Sequence, residues 1–267
     1  MMIGKIRIAL AFAVVATSTA VLAPLQLLAL KTGLWRETLM PRLWHRTIVR
    51  ALGFRVHTHG ALAAQRPLLV AANHVSWTDI VVLGSLADVN FIARADMQGW
   101  PLIGSLSRLQ RTVFVERERR RTSGSQASEI ATRLGSGHAM VLFAEGTTGD
   151  GNMVLPLKST LFGAASMAIS EGAAGEVFVQ PVAIAYTRLH GVPMGRRDRP
   201  LAAWIGDQDL GPHLLALLAE GAVDVEVHFG EPVTFSAASS RKETARLVGQ
   251  RVAELMRLAL DDPRPSR

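Results

Sequence analysis

Residues 68–79 read Leu68-Leu69-Val70-Ala71-Ala72-Asn73-His74-Val75-Ser76-Trp77-Thr78-Asp79, an apolar run that breaks into polar residues and then into helical spacing. Consecutive apolar residues suit a strand buried on both faces, and Ser76 with Asp79 has the S-x-x-D spacing of a helix start. A strand leading directly into a helix is the repeating unit of an α/β domain. Outward from this stretch the alternation continues. Strands are predicted at Phe54 to His59, Leu68 to Ala72, Asn90 to Arg94, Thr112 to Glu116, Ala139 to Ala144, Val177 to Tyr186 and Val223 to Phe229. Helices are predicted at Ser76 to Leu86, Pro101 to Leu109, Ser123 to Leu134, Leu161 to Ser170, Pro212 to Glu220 and Ser239 to Leu260. The expected fold is a single α/β domain with a mainly buried sheet flanked by helices. No internal repeat or low-complexity linker divides it.

Composition narrows the function. Of 267 residues, 49% are hydrophobic and 19% charged, fewer charges than the roughly 25% of an ordinary soluble domain. The net charge of +7 is unevenly placed. Residues 1–57 hold eight basic residues against the single acid Glu37, and the remaining residues carry 21 of each sign. A neutral body offers nothing to a polyanion, which excludes a nucleic-acid binder. With no cysteine there is no disulfide, thiol nucleophile or thiolate metal site.

The basic first fifth reads as a membrane attachment. Ile8 to Leu30 runs 23 residues without a charge, 18 of them apolar, which as a helix is long enough for a hydrocarbon core of about 30 Å. Lys5 and Arg7 precede it and five basic residues follow, which places what comes after Leu30 in the cytoplasm. The expectation is a membrane-inserted helix, spanning or bent back at Pro24, rather than a cleaved signal peptide. Beyond it, Met40, Trp44, Ile48 and Leu52 recur every four residues beside a row of Arg42, Arg46 and Arg50. That pattern suits a helix lying at an anionic membrane surface, or a first globular helix with a solvated arginine face. The expected organisation is a membrane segment at 1–33, a basic amphipathic helix at 34–52, the main domain at 53–235 and a C-terminal helix and tail at 236–267.

Two stretches carry candidate chemistry. His74 follows a strand and precedes a helix, where α/β domains place functional groups. Asp79 is within reach if the turn folds back, fixing the tautomer of His74 and stabilising its imidazolium, as a general-base pair requires. The competing reading is a capping box, in which Asp79 serves only its helix. The second stretch is Phe143-Ala144-Glu145-Gly146-Thr147-Thr148-Gly149-Asp150-Gly151, an apolar strand opening into a glycine-rich polar loop. Such a loop turns backbone N–H groups toward an anion, although turn chemistry alone also produces it. His57 and His59 share a strand face, but no third ligand stands near them in sequence, and no metal site is expected.

These residues resemble the glycerolipid acyltransferases, the 1-acylglycerol-3-phosphate acyltransferase family. Asn73-His74-Val75-Ser76-Trp77-Thr78-Asp79 is similar to its NHxxxxD block, and Phe143-Ala144-Glu145-Gly146-Thr147 to its FPEGT block with alanine for proline. Thr112-Val113-Phe114-Val115-Glu116-Arg117 resembles the GxxFxxR block with Arg111 where glycine is usual, and Gln180-Pro181-Val182-Ala183 the late apolar-Pro block. Arg94-Ala95-Asp96 and Trp100-Pro101-Leu102-Ile103-Gly104 resemble the segment after the first block. The resemblance spans roughly residues 50–235, with the blocks in order.

The resemblance implies transfer of a fatty acyl group from a thioester to a lysolipid hydroxyl, without metal, cofactor or covalent intermediate. His74 would deprotonate the hydroxyl, Asp79 would orient His74, and a backbone donor would hold the oxyanion. Glu145, Gly146 and Thr147 would bind the acceptor, Arg117 would face its anionic group, and Lys158 matches a basic position downstream. The absence of a cysteine or a GxSxG elbow agrees with direct attack. Phosphatidate-forming members usually carry arginine where Thr148 stands. The loop from Glu145 to Asn152, with Gln180 to Arg188, looks closer to the bacterial lyso-ornithine lipid acyltransferases, whose acceptor is a 3-hydroxy fatty amide. The implied partners are the inner-membrane bilayer, the lysolipid and an acyl carrier protein or coenzyme A thioester. Lysophosphatidate is the alternative acceptor, and a non-catalytic lipid-binding protein the alternative of another class.

Overall fold

The apolar pentads Leu68–Ala72 and Ala139–Phe143 lie side by side at the centre of one sheet, and every residue of both is buried. The structure is a computed structural model that describes residues 2–115, 123–170, 172 and 174–261. In chain order the helices are α1 (Met2–Thr32), α2 (Leu39–Leu52), α3 (Thr78–Leu86), α4 (Ile103–Leu109), α5 (Ser123–Gly135), α6 (Gly163–Ser170), α7 (Leu210–Glu220) and α8 (Arg241–Asp261). The strands are β1 (Arg55–His59), β2 (Leu68–Ala72), β3 (Asn90–Arg94), β4 (Val113–Val115), β5 (Ala139–Phe143), β6 (Glu176–Leu189), β7 (Val192–Pro193), β8 (Val223–Phe229) and β9 (Val233–Ser236). The sheet order is β1-β8-β6-β2-β5-β3-β4, with β7 and β9 also paired to β6. From β6 through β4 all neighbours are parallel, whereas β8 runs antiparallel to β6.

Alternating side chains on the strands feed two cores. Leu68, Val70 and Ala72 of β2 and Val223, Val225 and Val227 of β8 meet α2, α3 and α7 on one face. Leu69 and Ala71, with Val177 and Val179 of β6, meet α5, α6 and α8 on the other. The central strands are therefore apolar at every position, which is why they read as continuous runs. The expected α/β architecture holds, and β2, β3 and β8 have the bounds read from sequence. β7 and β9 were not foreseen: one is a two-residue bridge and the other a short strand whose identity comes from pairing with β6. The predicted strand end at Glu116 lies outside the described residues.

α1 continues through Pro24 as one helix, so the sequence is not bent back there. It is the one helix among the described residues long and apolar enough to cross a membrane. It also lies against the body along its length. Arg7 donates to the carbonyls of Leu52 and Glu220, Trp44 Nε1 to Thr19, and Gln26 Nε2 to the carbonyls of Glu37 and Leu109. Its outer face exposes Leu10, Phe12, Val21 and Leu27.

α2 directs its apolar row inward, burying Ile48 and Leu52 in the first core. Two arginines of its row meet the end of α3 and the residues beyond it, Arg42 reaching Leu86 O and Asp88 and Arg46 reaching Ser85 O, while Arg50 is exposed. Cations at the carbonyl end of a helix satisfy groups that lack intrahelical partners and complement its dipole. Buried His45 shares an α2–α3 contact so close that a methyl on Gly84 would stand 2.4 Å from its Cδ2. His45 Nε2 donates to Gln110 Oε1 at 2.8 Å when the ring is neutral.

Burial lowers the His45 pKa to about 4, against the bond to Gln110. Between an unfolded value of 6.5 and about 4, the unfolded chain takes up a proton that the native ring refuses. The contribution of His45 to stability should thus be constant above that window and fall by about 3 kcal/mol across it on acidification. Denaturation in detergent as a function of pH should show this fall as the difference between wild type and His45→Gln, in which the contributions of His228 and of Glu145, the latter of opposite sign, cancel. His45→Gln should flatten the slope; an unchanged slope would refute the assignment.

Candidate active site

β2 and β5 are adjacent and parallel, with Ala72 opposite Phe143, so the residues that follow each strand emerge together at one sheet edge. This is where open parallel sheets bind ligands. His74 leaves β2 and Glu145 leaves β5. The turn after β2 is held by Asn73, whose side chain bonds both Ile184 O and Ile184 N on β6, at 2.9 and 2.8 Å. An amide side chain here takes over sheet pairing where the backbone turns away.

His74 Nδ1 donates to Asp79 Oδ2 at 2.9 Å, which leaves Nε2 as the nitrogen with a free lone pair. The imidazole stacks on Phe143, centroids 4.0 Å apart, and its side chain keeps 19% exposure while that of Asp79 has none. The same Asp79 oxygen accepts the backbone N–H groups of Val75 and Ser76 at 2.7 and 2.9 Å. Its other oxygen accepts Tyr186 Oη at 2.7 Å, and Thr78 Oγ1 bonds that phenol in turn. The capping and orienting readings are thus joined in one carboxylate. The capping box is only half made, since Ser76 Oγ is buried without a partner.

Tyr186 is the chain's sole tyrosine and is fully buried. Burial first, and then the charge of Asp79, raises its pKa well above the ordinary value, so it stays a donor. Its part in the site was missed because it lies 107 residues beyond Asp79, at the end of the apolar run Val182 to Ala185 of β6. A lone phenol at a central strand position is the one signal that could have raised it, since a buried Tyr needs a hydrogen-bond partner.

Glu145 is 2% exposed, and neither carboxyl oxygen has a hydrogen-bond partner of good geometry. Burial raises its pKa to about 8, and the nearby charge of Asp79 adds to the shift. A buried acid left unsatisfied is costly, and such groups gather where a ligand completes them. Beside it Gly146 sits at φ 77°, and a methyl there would lie 3.0 Å from Lys158 Nζ. Lys158 N bonds Ala144 O at 2.8 Å. The structure therefore gathers His74, Asp79, Glu145, Gly146 and Lys158. Thr147 is exposed on the same loop, whereas Arg117 lies outside the described residues.

The loop closes on a segment that sequence reading passed over. Gly149 N bonds His74 O at 2.8 Å, Trp204 N bonds Val75 O at 2.9 Å, and Thr148 Oγ1 donates to Trp204 O. Residues 195–204 thus wall the site. Elsewhere, His59, Glu226 and His228 form the one group of three possible metal ligands found among the described residues, their ligand atoms within 4.8 Å of one another. They meet through the β1–β8 register, which no sequence spacing reveals. His59 already bonds Glu226 at 2.7 Å, and the group lies on the opposite sheet face from Phe143, on which His74 stacks.

Comparison with known proteins gives the family and the fold. Residues 53–185, which contain both strand ends, match the family model described as Acyltransferase. The chain is 51% identical to the lyso-ornithine lipid O-acyltransferase of Rhizobium meliloti (strain 1021), covering 96% of this chain and 87% of that one. It is 53% identical to the enzyme of the same name from Brucella abortus (strain 2308), covering 97% of each. The crystal structure of the 1-acyl-sn-glycerophosphate acyltransferase from Thermotoga maritima shares the fold, with a TM-score of 0.64 at 22% identity over 96% of this chain and 97% of that one. With the fold, the domain match and the near-full-length identities in agreement, the chain belongs to the acyltransferase family.

Proposed function

We propose that this acyltransferase moves a fatty acyl group from a thioester to the hydroxyl of lyso-ornithine lipid, with His74 as general base. The observation that carries the acceptor is the identity of 51% and 53% to two lyso-ornithine lipid O-acyltransferases over nearly the whole chain. Thr148 in place of a phosphate-binding arginine supports it against lysophosphatidate.

In the proposed reaction His74 Nε2 takes the proton of the acceptor hydroxyl as its oxygen attacks the thioester carbonyl. Asp79 balances the imidazolium that forms. The tetrahedral intermediate collapses with loss of the thiolate, which takes the proton back from His74 and leaves as a thiol, of acyl carrier protein or coenzyme A. No acyl group rests on the protein. Glu145, Gly146, Thr147 and Lys158 bind the acceptor.

The exposed apolar face of α1 supports a membrane surface as the workplace. Its bonds to the body at both Arg7 and Gln26 favour a helix embedded alongside the domain over one that crosses the bilayer away from it. The basic residues of the first 57 favour the cytoplasmic side of the inner membrane.

Purified protein in detergent, given an acyl thioester and a panel of lysolipids, should add one acyl mass to lyso-ornithine lipid. Acylation of lysophosphatidate alone would refute the acceptor, and His74→Ala should lower kcat by about 1,000-fold. A His74→Ala protein of full activity would end the mechanism. Glu145→Gln should be more stable but at least about 10-fold less active, the trade expected of a residue kept for its ligand. A native pKa of about 8 against 4.5 makes the wild type bear a cost that grows as pH rises between those values. The stability gain of Glu145→Gln should grow over the same interval, and a gain independent of pH would refute the buried-acid reading.

A further inference from the structure

The loop that lacks the expected arginine at position 148 is met by another cation from outside the matched family domain. Arg199 Nη1 donates to Asn152 Oδ1 at 2.9 Å. Asn152 in turn donates its backbone N–H and its Nδ2 to the two oxygens of Asp150, both at 2.9 Å. Nδ2 also bonds Arg196 O at 3.1 Å, tying the 195–204 segment to the loop. One asparagine thus holds an arginine and an aspartate on either side of itself. Among the described residues, neither has an ion-pair partner within 4.0 Å. Arg199 Nε is moreover buried with no hydrogen-bond partner. A guanidinium has five N–H donors, and among the described residues one of them, Nη1, is seen engaged.

The cluster stands beside the reacting end of the site. Gly151 adopts φ 77°, and a methyl there would lie 3.3 Å from Val75 Cγ1 and 3.8 Å from Arg199 Cβ, so both side chains flank one point. Val75 is the residue after His74. Resting on the acceptor assignment above, we propose that Arg199 and Asp150 form the headgroup subsite, Arg199 binding the ornithine carboxylate and Asp150 the ornithine ammonium. Lyso-ornithine lipid is acylated on a 3-hydroxy fatty amide, which puts the hydroxyl about 7 Å from the headgroup carboxylate when extended. Its headgroup is a zwitterion, and Asn152 presents one charge of each sign with no direct ion pair between them. A fork of N–H donors matches a carboxylate in two-point contact. Hydrogen bonds from Asn152 hold Asp150 below the usual carboxylate range, so it is ionised at neutral pH.

The experiment compares lyso-ornithine lipid with two analogues, its carboxamide and its δ-N-acetyl derivative, using the full-length enzyme in detergent. Wild type should discriminate against the carboxamide by about 30-fold in kcat/KM. Arg199→Gln should lose about 30-fold on lyso-ornithine lipid, mainly through KM, and show no preference between carboxylate and carboxamide. Asp150→Asn should erase the preference for the free ammonium over its acetyl derivative while keeping the carboxylate preference. Denaturation midpoints establish that both variants fold. An Arg199→Gln enzyme that still discriminates between carboxylate and carboxamide overturns the subsite and leaves the acceptor assignment standing. A wild type that does not acylate lyso-ornithine lipid at all overturns the assignment and the subsite together.

Discussion

The site depends on one buried charge. Removing a carboxylate from water costs several kcal/mol unless donors replace the solvent, and Asp79 is met by four: His74 Nδ1, the N–H groups of Val75 and Ser76, and Tyr186 Oη. The four donors come from three different constraints. The two backbone groups need the turn after β2 to fold back on α3, the imidazole needs that turn to aim at Phe143, and the phenol needs β6 beside β2. A carboxylate solvated this way is worth its burial only when strand order, turn and helix start are all in place. The fold and the orientation of His74 are therefore parts of one electrostatic solution.

Parallel pairing sets what can gather there. Because β2 and β5 run in the same direction with Ala72 beside Phe143, two polar segments about 70 residues apart in sequence open at the same edge. The contrast between them is chemical. The β2 side supplies a carboxylate with every donor it needs, and the β5 side supplies Glu145, a carboxyl with none of good geometry. The first is finished by the protein and the second is not, which is how two acids near one histidine come to differ.

Legibility from sequence followed locality. β2 was readable because a strand buried on both faces is a run of apolar residues, β8 because its valines alternate with polar residues, β3 because its short apolar stretch is bounded by polar ends, and the His74–Asp79 pair because its spacing is short. Tyr186, the Arg199 cluster and the His59–Glu226–His228 group were not, since each is made by strand register or by a wall segment closing on a distant loop. α2 shows a subtler limit. Its apolar and arginine rows were plain, but periodicity is silent on what a face meets: Ile48 and Leu52 met the core, and Arg42 and Arg46 met the carbonyl end of α3.

The attachment of α1 along the body has a kinetic meaning. The apolar face of that helix and the histidine belong to one hydrogen-bonded unit, so the height of the reacting centre above the lipid surface is set by the protein rather than by a tether. An enzyme seated in this way samples its acceptor in two dimensions. The quantity that governs its turnover is then the mole fraction of lysolipid in the surrounding leaflet, and diluting the acceptor with inert lipid slows it even when the amount per volume is unchanged.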